Sequence, residues 1–381
     1  MSRICGNNIL VKAIAFCLGL AMAVPASAET AFDAVLTTDV LSNQQGGLRE
    51  GTRVMANLDL SAAWTGDNGW EAFGYMLADA GGGFSETYSG DAQVVSNIDA
   101  PAGVRLFEAW VRKTSADERL VVTAGIINLN GIFDTQEAGA LFLNASHGIG
   151  VDFAQAGPSI FPISGLGAVA EWRLTDETRV RAGVFDGMPG DPGNIKRFAA
   201  LNLDAEDGVH WVAELEHNFP RGYVKLGVWS CSAEADRLDG LGRIKGNDGV
   251  YAQVKYDLIR EATDDGQGLS GWVRSGVANP DIQAVASYAG GGLVYTGPFP
   301  GRDSDAVGLA IAHARFGYPY ADSLGLDLEP ETTVELSYRY EIRSGFSIQP
   351  DLQYIRRPSG DPSIKDAVVA GVRLRVGLEA L

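Results

Sequence analysis

The chain has 381 residues, 46% of them hydrophobic, and 48 Asp+Glu outweigh 30 Lys+Arg to leave a formal charge of −18. With no basic stripe to neutralise phosphates, nucleic-acid binding is disfavoured. Its size suits two or three soluble domains or a single large barrel.

The N-terminus reads as an export signal. Arg3 and Lys12 flank the start of an apolar run, 13–24, followed by Pro25 and the small-residue site Ala26-Ser27-Ala28. That layout predicts a secretory signal peptide over 1–28, cleaved after Ala28. The run is too short to cross ~30 Å of hydrocarbon. Cleavage leaves 381 − 28 = 353 residues with a charge of 28 − 48 = −20. Cys5 and Cys17 leave with the signal, so Cys231 has no partner and a disulfide-stapled exterior domain is excluded. No later apolar run approaches the length of a spanning helix, so insertion into a membrane requires strands.

Strand-like segments recur along the rest of the chain, separated by Gly, Asp, Asn and Pro clusters. They fall at 32–41, 52–64, 70–80, 105–114, 120–128, 167–175, 178–185, 208–217, 222–232, 249–259, 269–278, 282–295 and 305–316. Three more lie in 332–381. The last segments alternate most cleanly. Val334, Leu336, Tyr338, Tyr340 and Ile342 interleave with Glu335, Ser337, Arg339, Glu341 and Arg343. Val368, Ala370, Val372, Leu374, Val376 and Leu378 oppose Arg373 and Arg375. A period of two is a strand with one face free of charge.

Connections alternate as well. Residues 175–178, 218–222 and 343–346 are tight, whereas 81–104, 129–166 and 186–207 are long. The expected fold is an all-β, transmembrane, antiparallel up-and-down β-barrel of about sixteen strands spanning 29–381, with lipid outside and water inside. The rival is a soluble sandwich. Trp64, Trp70, Trp110, Trp172, Tyr256, Trp272 and Tyr354 near strand ends are candidates for interfacial girdles.

Enzyme signatures are poor: there is no G-x-S-x-G and no H-E-x-x-H. His210 and His217 are seven apart on one strand and face opposite ways, so they cannot share a metal. Asp236, Asp239 and Asp248 are read as a solvated acidic loop rather than a calcium site. No metal or cofactor is expected.

If the apolar faces meet lipid, Arg53, Asp59, Glu108, Trp110, Arg112, Arg181, Arg339, Arg373 and Arg375 face the lumen, with Asn57, Glu171, Arg173 and Arg179. Mixed charges with an aromatic ring suit neutral, hydroxyl-rich solutes; mutual neutralisation in a water-filled pore is the alternative. Loop 129–166 carries Asp134, Glu137, Asn144, His147 and Asp152 among many apolar residues. It is expected to fold inward as a constriction, burying its apolar side chains and presenting its acids to the channel.

Short blocks in a specific order extend this reading. They are Gly46-Gly47-Leu48 with Gly51-Thr52 and Asn57-Leu58-Asp59-Leu60; Gly90 to Ile98; and Arg105-Leu106-Phe107-Glu108-Ala109-Trp110. Leu141 to Gly148, Pro158 to Pro162, Gln349 to Ile355 with Pro358, and Ala367 to Arg373 follow. Over essentially the whole mature region the chain resembles the carbohydrate-selective porins of the OprB type. The resemblance implies an outer-membrane barrel that lets sugars such as glucose diffuse in, with arginine and glutamate lining a narrowed eyelet. The partners it implies are carbohydrates, outer-membrane lipids and, during biogenesis, the barrel-assembly machinery; homotrimer and monomer both stay open. A general, non-selective porin is the alternative, and a barrel enzyme or a non-conducting structural barrel are more distant rivals. One departure concerns the end of the chain, where Leu381 falls off the lipid phase that runs through Leu378.

Overall fold

The computed structural model describes residues 29–378 apart from 192, 195, 200, 202–203, 205 and 262–265. The expected signal peptide and Leu381 lie outside the described residues. Sixteen antiparallel strands follow one another around a closed barrel, the last pairing back onto the first. They are β1 (Glu29–Gly47), β2 (Gly51–Thr65), β3 (Trp70–Ala80), β4 (Gly103–Thr114), β5 (Leu120–Ile127), β6 (Gly165–Arg173), β7 (Thr178–Asp186) and β8 (Val209–Phe219). The second half is β9 (Gly222–Cys231), β10 (Asn247–Arg260), β11 (Gly268–Ala278), β12 (Val285–Thr296), β13 (Ala306–Phe316), β14 (Glu331–Arg343), β15 (Phe346–Arg356) and β16 (Lys365–Gly377). A two-residue hairpin, Ala235–Asp236 with Arg243–Ile244, decorates the β9–β10 connection.

Closure satisfies the edge groups that an open sheet would leave unpaired in lipid. It rests on a long ladder, Val35↔Gly377 through Asp39↔Arg373 to Asn43↔Val369. All candidate segments of the sequence lie on these strands.

Connections segregate to two ends. Residues 66–69, 115–119, 174–177, 220–221, 261–267, 297–305 and 344–345 are the turn end. Residues 48–50, 81–102, 128–164, 187–208, 232–246, 279–284, 317–330 and 357–364 are the loop end.

Side chains alternate as the pleat requires. Val54, Val111, Leu226, Val273, Leu309 and Leu336 stand outward and exposed, as a lipid-facing belt needs. Trp70, Trp172, Tyr256 and Tyr354 are exposed near strand ends. Trp272 instead points inward, buried against Phe142 and Leu141, and Trp110 packs on an interior cluster.

The inner face is not uniformly polar. Leu41, Met55, Ile355 and Val369 form a buried cluster with Phe84, Val95, Ile98 and Leu143. Val169, Phe185, Val212, Trp229 and Tyr251 form another with Phe133, Ile149 and Phe153. The second partners in each case come from loops 81–102 and 128–164. These two loops fold into the barrel, and their apolar side chains need an apolar wall.

Candidate solute pathway

Inside the barrel, between the two inward loops and the wall, lies a cavity of about 1210 Å³. Its wall side comes from β1–β4 and β14–β16, including Thr37, Asn57, Asp59, Tyr75, Phe107, Arg339, Glu341, Ser347, Gln349, Arg373 and Arg375. Loop 81–102 contributes Gln93, Ser96, Asn97 and Asp99. Loop 128–164 contributes Asn128, Asn130, Ser146, Gln155, Ile160 and Phe161.

The three arginines differ in how far they are engaged. The Arg373 guanidinium donates to Asp39 at 2.7 and 2.8 Å and to Asn97 Oδ1 at 2.8 Å. That joins wall, neighbouring strand and loop. Among the described residues neither Arg339 nor Arg375 has a carboxylate within ion-pair distance, and the Arg339 Nε is buried without a partner. Further along the same wall, on β2 beyond β1, Asp59 accepts from Tyr75 Oη at 2.8 Å. Asp99 is held by backbone N–H groups of its own loop, Phe84 N at 2.9 Å and Ser85 N at 3.2 Å, and by Gly83 N. The surface therefore offers separate donors, acceptors and aromatic rings rather than one dominant charge.

The rings are Tyr75, Phe107 and Phe161. Tyr75 and Phe107 meet edge to face at 5.2 Å, and Phe107 and Phe161 at 6.3 Å. Phe107 is inward because of a bulge: Tyr75 pairs with Glu108 but Met76 pairs with Leu106. One extra residue on β4 shifts the phase. Arg105 and Phe107 thus face inward on one side of the bulge, and Glu108, Trp110 and Arg112 do so on the other. Strict alternation misses Phe107.

Other sequence candidates lie elsewhere. Trp110 stacks on Phe73 at 5.2 Å beneath Arg112 at 4.6 Å and donates to Glu108 at 3.1 Å. Arg112 also reaches Thr123 at 3.1 Å, and Glu108 accepts from Asn128 N at 3.2 Å. Arg53 donates to the Gly82 carbonyl and lies over Tyr88, so it anchors loop 81–102. Arg181 is held in the wall by Glu171 at 2.9 Å and by Glu214 and Glu216 at 2.8 Å. None of Arg53, Glu108, Trp110, Arg112 or Arg181 lines the cavity.

The acids of loop 128–164 are not presented to the channel, contrary to expectation. Asp134 and Asp152 both turn to the wall and clasp Arg274 of β11, Asp134 at 2.7 Å. All three side chains are buried, and a buried carboxylate needs a cation or donors. Asn144 caps the turn after it, accepting from Ser146 N at 3.1 Å. His147 is buried beside Trp272 and Phe142. Glu137 is exposed and off the cavity. The apolar residues of the loop are buried as expected.

His210 faces inward against Phe153 and Trp229, while His217 contacts Thr178 at 3.0 Å on the other side. Among the described residues no group of three His, Cys, Asp or Glu is placed to hold a metal.

Comparison with known proteins places this barrel. The sequence matches the family described as carbohydrate-selective porin, OprB family, over residues 47–378. A putative porin, QuiX, of Acinetobacter baylyi is 23% identical over 307 residues, 71% of this chain and 69% of that one. Porin B of Pseudomonas aeruginosa is 27% identical over 254 residues, 56% of this chain and 55% of its own length. Among solved structures, the high-pH form of Pseudomonas putida OprB superposes with a TM-score of 0.83 at 20% identity, covering 92% of this chain and 94% of that one. Its low-pH form gives 0.60 at 16% identity, over 92% of each chain. At these identities the structures speak for the fold, and the family match speaks for the class. The chain belongs to the OprB family of carbohydrate-selective porins of the bacterial outer membrane, a family of channels.

Proposed function

We propose that the chain, exported by its N-terminal signal, is a passive pathway for sugars of about monosaccharide size, driven only by the solute gradient. The sugar passes along one arc of wall that carries Arg339, Arg373 and Arg375 and then Asp59 and Tyr75. Loops 81–102 and 128–164 narrow the way. The observation that carries this is the cavity itself: two arginines with no ion-pair partner among the described residues and three aromatic rings line one space of about 1210 Å³. Guanidinium forks donate to hydroxyl pairs, and ring faces cover the apolar side of a pyranose. A volume in this range takes a small hydroxylated solute with some of its water.

The test is conductance of the reconstituted barrel in a planar bilayer, titrated with mono- and disaccharides. Pores should form, and added monosaccharide should lower their conductance. Pores indifferent to every sugar would reduce the chain to a general porin.

A further inference from the structure

Two glutamates on the inner face of β14, Glu331 and Glu335, are fully buried, yet neither pairs with a lysine or arginine among the described residues. Each holds backbone N–H groups of an inward loop instead. Glu331 accepts from Ala92 N at 2.8 Å, Gln93 N at 3.1 Å, Gln93 Nε2 at 3.0 Å and Ser359 N at 2.5 Å. Glu335 accepts from Leu143 N at 2.5 Å and Asn144 N at 3.1 Å. The first set belongs to loop 81–102, apart from Ser359, and the second to loop 128–164.

The loops also bond to each other. Asn97 N donates to Leu143 O at 2.7 Å, and Ala145 N to Val94 O at 2.9 Å. Neighbouring β15 reaches both: Gln353 Nε2 donates to Val95 O at 2.9 Å and Gln349 Nε2 to Leu141 O at 2.6 Å. Backbone that has left the sheet and lies inside a barrel must find acceptors there. A carboxyl group supplies two acceptor oxygens for such N–H groups. The seated residues adjoin the cavity lining, since Ala92, Gln93, Val94, Ala145 and Ser146 all face the channel.

We infer that Glu331 and Glu335 are positioning residues that set the bore of the channel, seating the two loops on the wall as a single body. The inference rests on the reading that these loops narrow the sugar pathway. Replacing either glutamate by alanine strands two or more buried N–H groups, and the shared loop–loop bonds carry the release from one loop to the other.

The experiment compares single-channel conductance and monosaccharide block for the wild type, Glu331→Ala, Glu335→Ala, the double variant and Glu335→Gln. A heat-shift gel confirms that each barrel is closed. Each alanine variant should raise conductance by about twofold or more and weaken the block. The double variant should add little to either single one. Glu335→Gln keeps an acceptor for Leu143 N and can donate to His147, so it should recover most of the wild-type behaviour. Wild-type conductance and block in both alanine singles would overturn the inference. So would a double variant whose increase is the sum of the two, or a glutamine variant as open as the alanine one. A wild type that is itself indifferent to sugar would instead sink the sugar-pathway reading on which this one stands.

Discussion

Two walls of the same barrel use arginine in opposite ways. On β7 and β11, Arg181 is surrounded by three carboxylates and Arg274 by two. On β14 and β16, Arg339 and Arg375 meet none among the described residues and border the channel, and Arg373 divides its donors between a wall aspartate and a loop asparagine. All five occupy inward positions of alternating strands, so phase alone cannot tell them apart. What separates them is where an acid stands: for Arg181 on the neighbouring strands β6 and β8, for Arg274 on the loop overhead. Where loop 128–164 lies against the wall it brings Asp134 and Asp152, and the cation becomes part of the fastening. Where the wall borders the cavity, Arg339 and Arg375 have no carboxylate at ion-pair distance among the described residues.

The largest effect should come from breaking the fastening. Arg274→Met leaves Asp134 and Asp152 buried without their cation, and losing one partner of a buried pair costs ~3–5 kcal/mol. Loop 128–164 should detach, which limited proteolysis of the reconstituted barrel would reveal. A loop as protected as in the wild type would remove Arg274 from its anchorage. The free wall should answer differently. A charge-assisted hydrogen bond is worth ~1.5–3 kcal/mol, so Arg339→Ala or Arg375→Ala should weaken monosaccharide block by roughly tenfold or more. Stability should stay within ~0.5 kcal/mol, as for other substitutions at sites without a structural partner. Arg181→Ala should show the reverse, with lost stability and unchanged block. Equal sugar effects at Arg181 and Arg339 would erase the distinction between the walls.

Acid probes the fastened side more gently. Burial holds the His147 imidazole down at about 3 rather than its ordinary 6.5, with Glu335 at 3.5 Å. The unfolded chain takes up a proton below about pH 6.5 and the folded loop does not until about pH 3. Stability is therefore complete above pH 6.5 and falls as the pH drops through that window, by at most ~1.4 kcal/mol per unit. His147→Phe should flatten the slope in urea unfolding followed at several pH values. An unchanged slope would assign the acid sensitivity to other groups.

The architecture was readable because it depends on local alternation. Val334 to Ile342 and Val368 to Leu378 announce their lipid face residue by residue, and Arg339, Arg373 and Arg375 follow from the opposite phase. Partnership was not readable. Glu335 shows in the sequence only as one more polar position, because its partners are backbone groups of residues 143 and 144, nearly two hundred positions away. Loop 81–102 passes for an ordinary connection since its seat on Glu331 is equally remote. Asp134 and Asp152 were expected to face water because nothing near them in sequence names Arg274. Leu41, Met55 and Val369 break the rule of a polar lumen for the same reason: their apolar partners belong to the incoming loops.

The smallest effect tests the one place where local alternation itself slipped. Without the bulge opposite Tyr75 and Met76, inward positions on β4 would run Glu108, Trp110, Arg112, and the ring available to a sugar would be Trp110. With it, Phe107 turns inward and borders the cavity, while Trp110 is covered by Phe73 and Arg112. An aromatic contact is worth ~0.5–1.5 kcal/mol beyond its area, so Phe107→Ala should weaken monosaccharide block several-fold. Trp110→Ala should leave the block intact and lower only the unfolding midpoint, since what it loses is packing. The opposite order, with block lost at Trp110 and kept at Phe107, would mean that the unbulged phase governs the channel and that the sugar runs along the other side of β4.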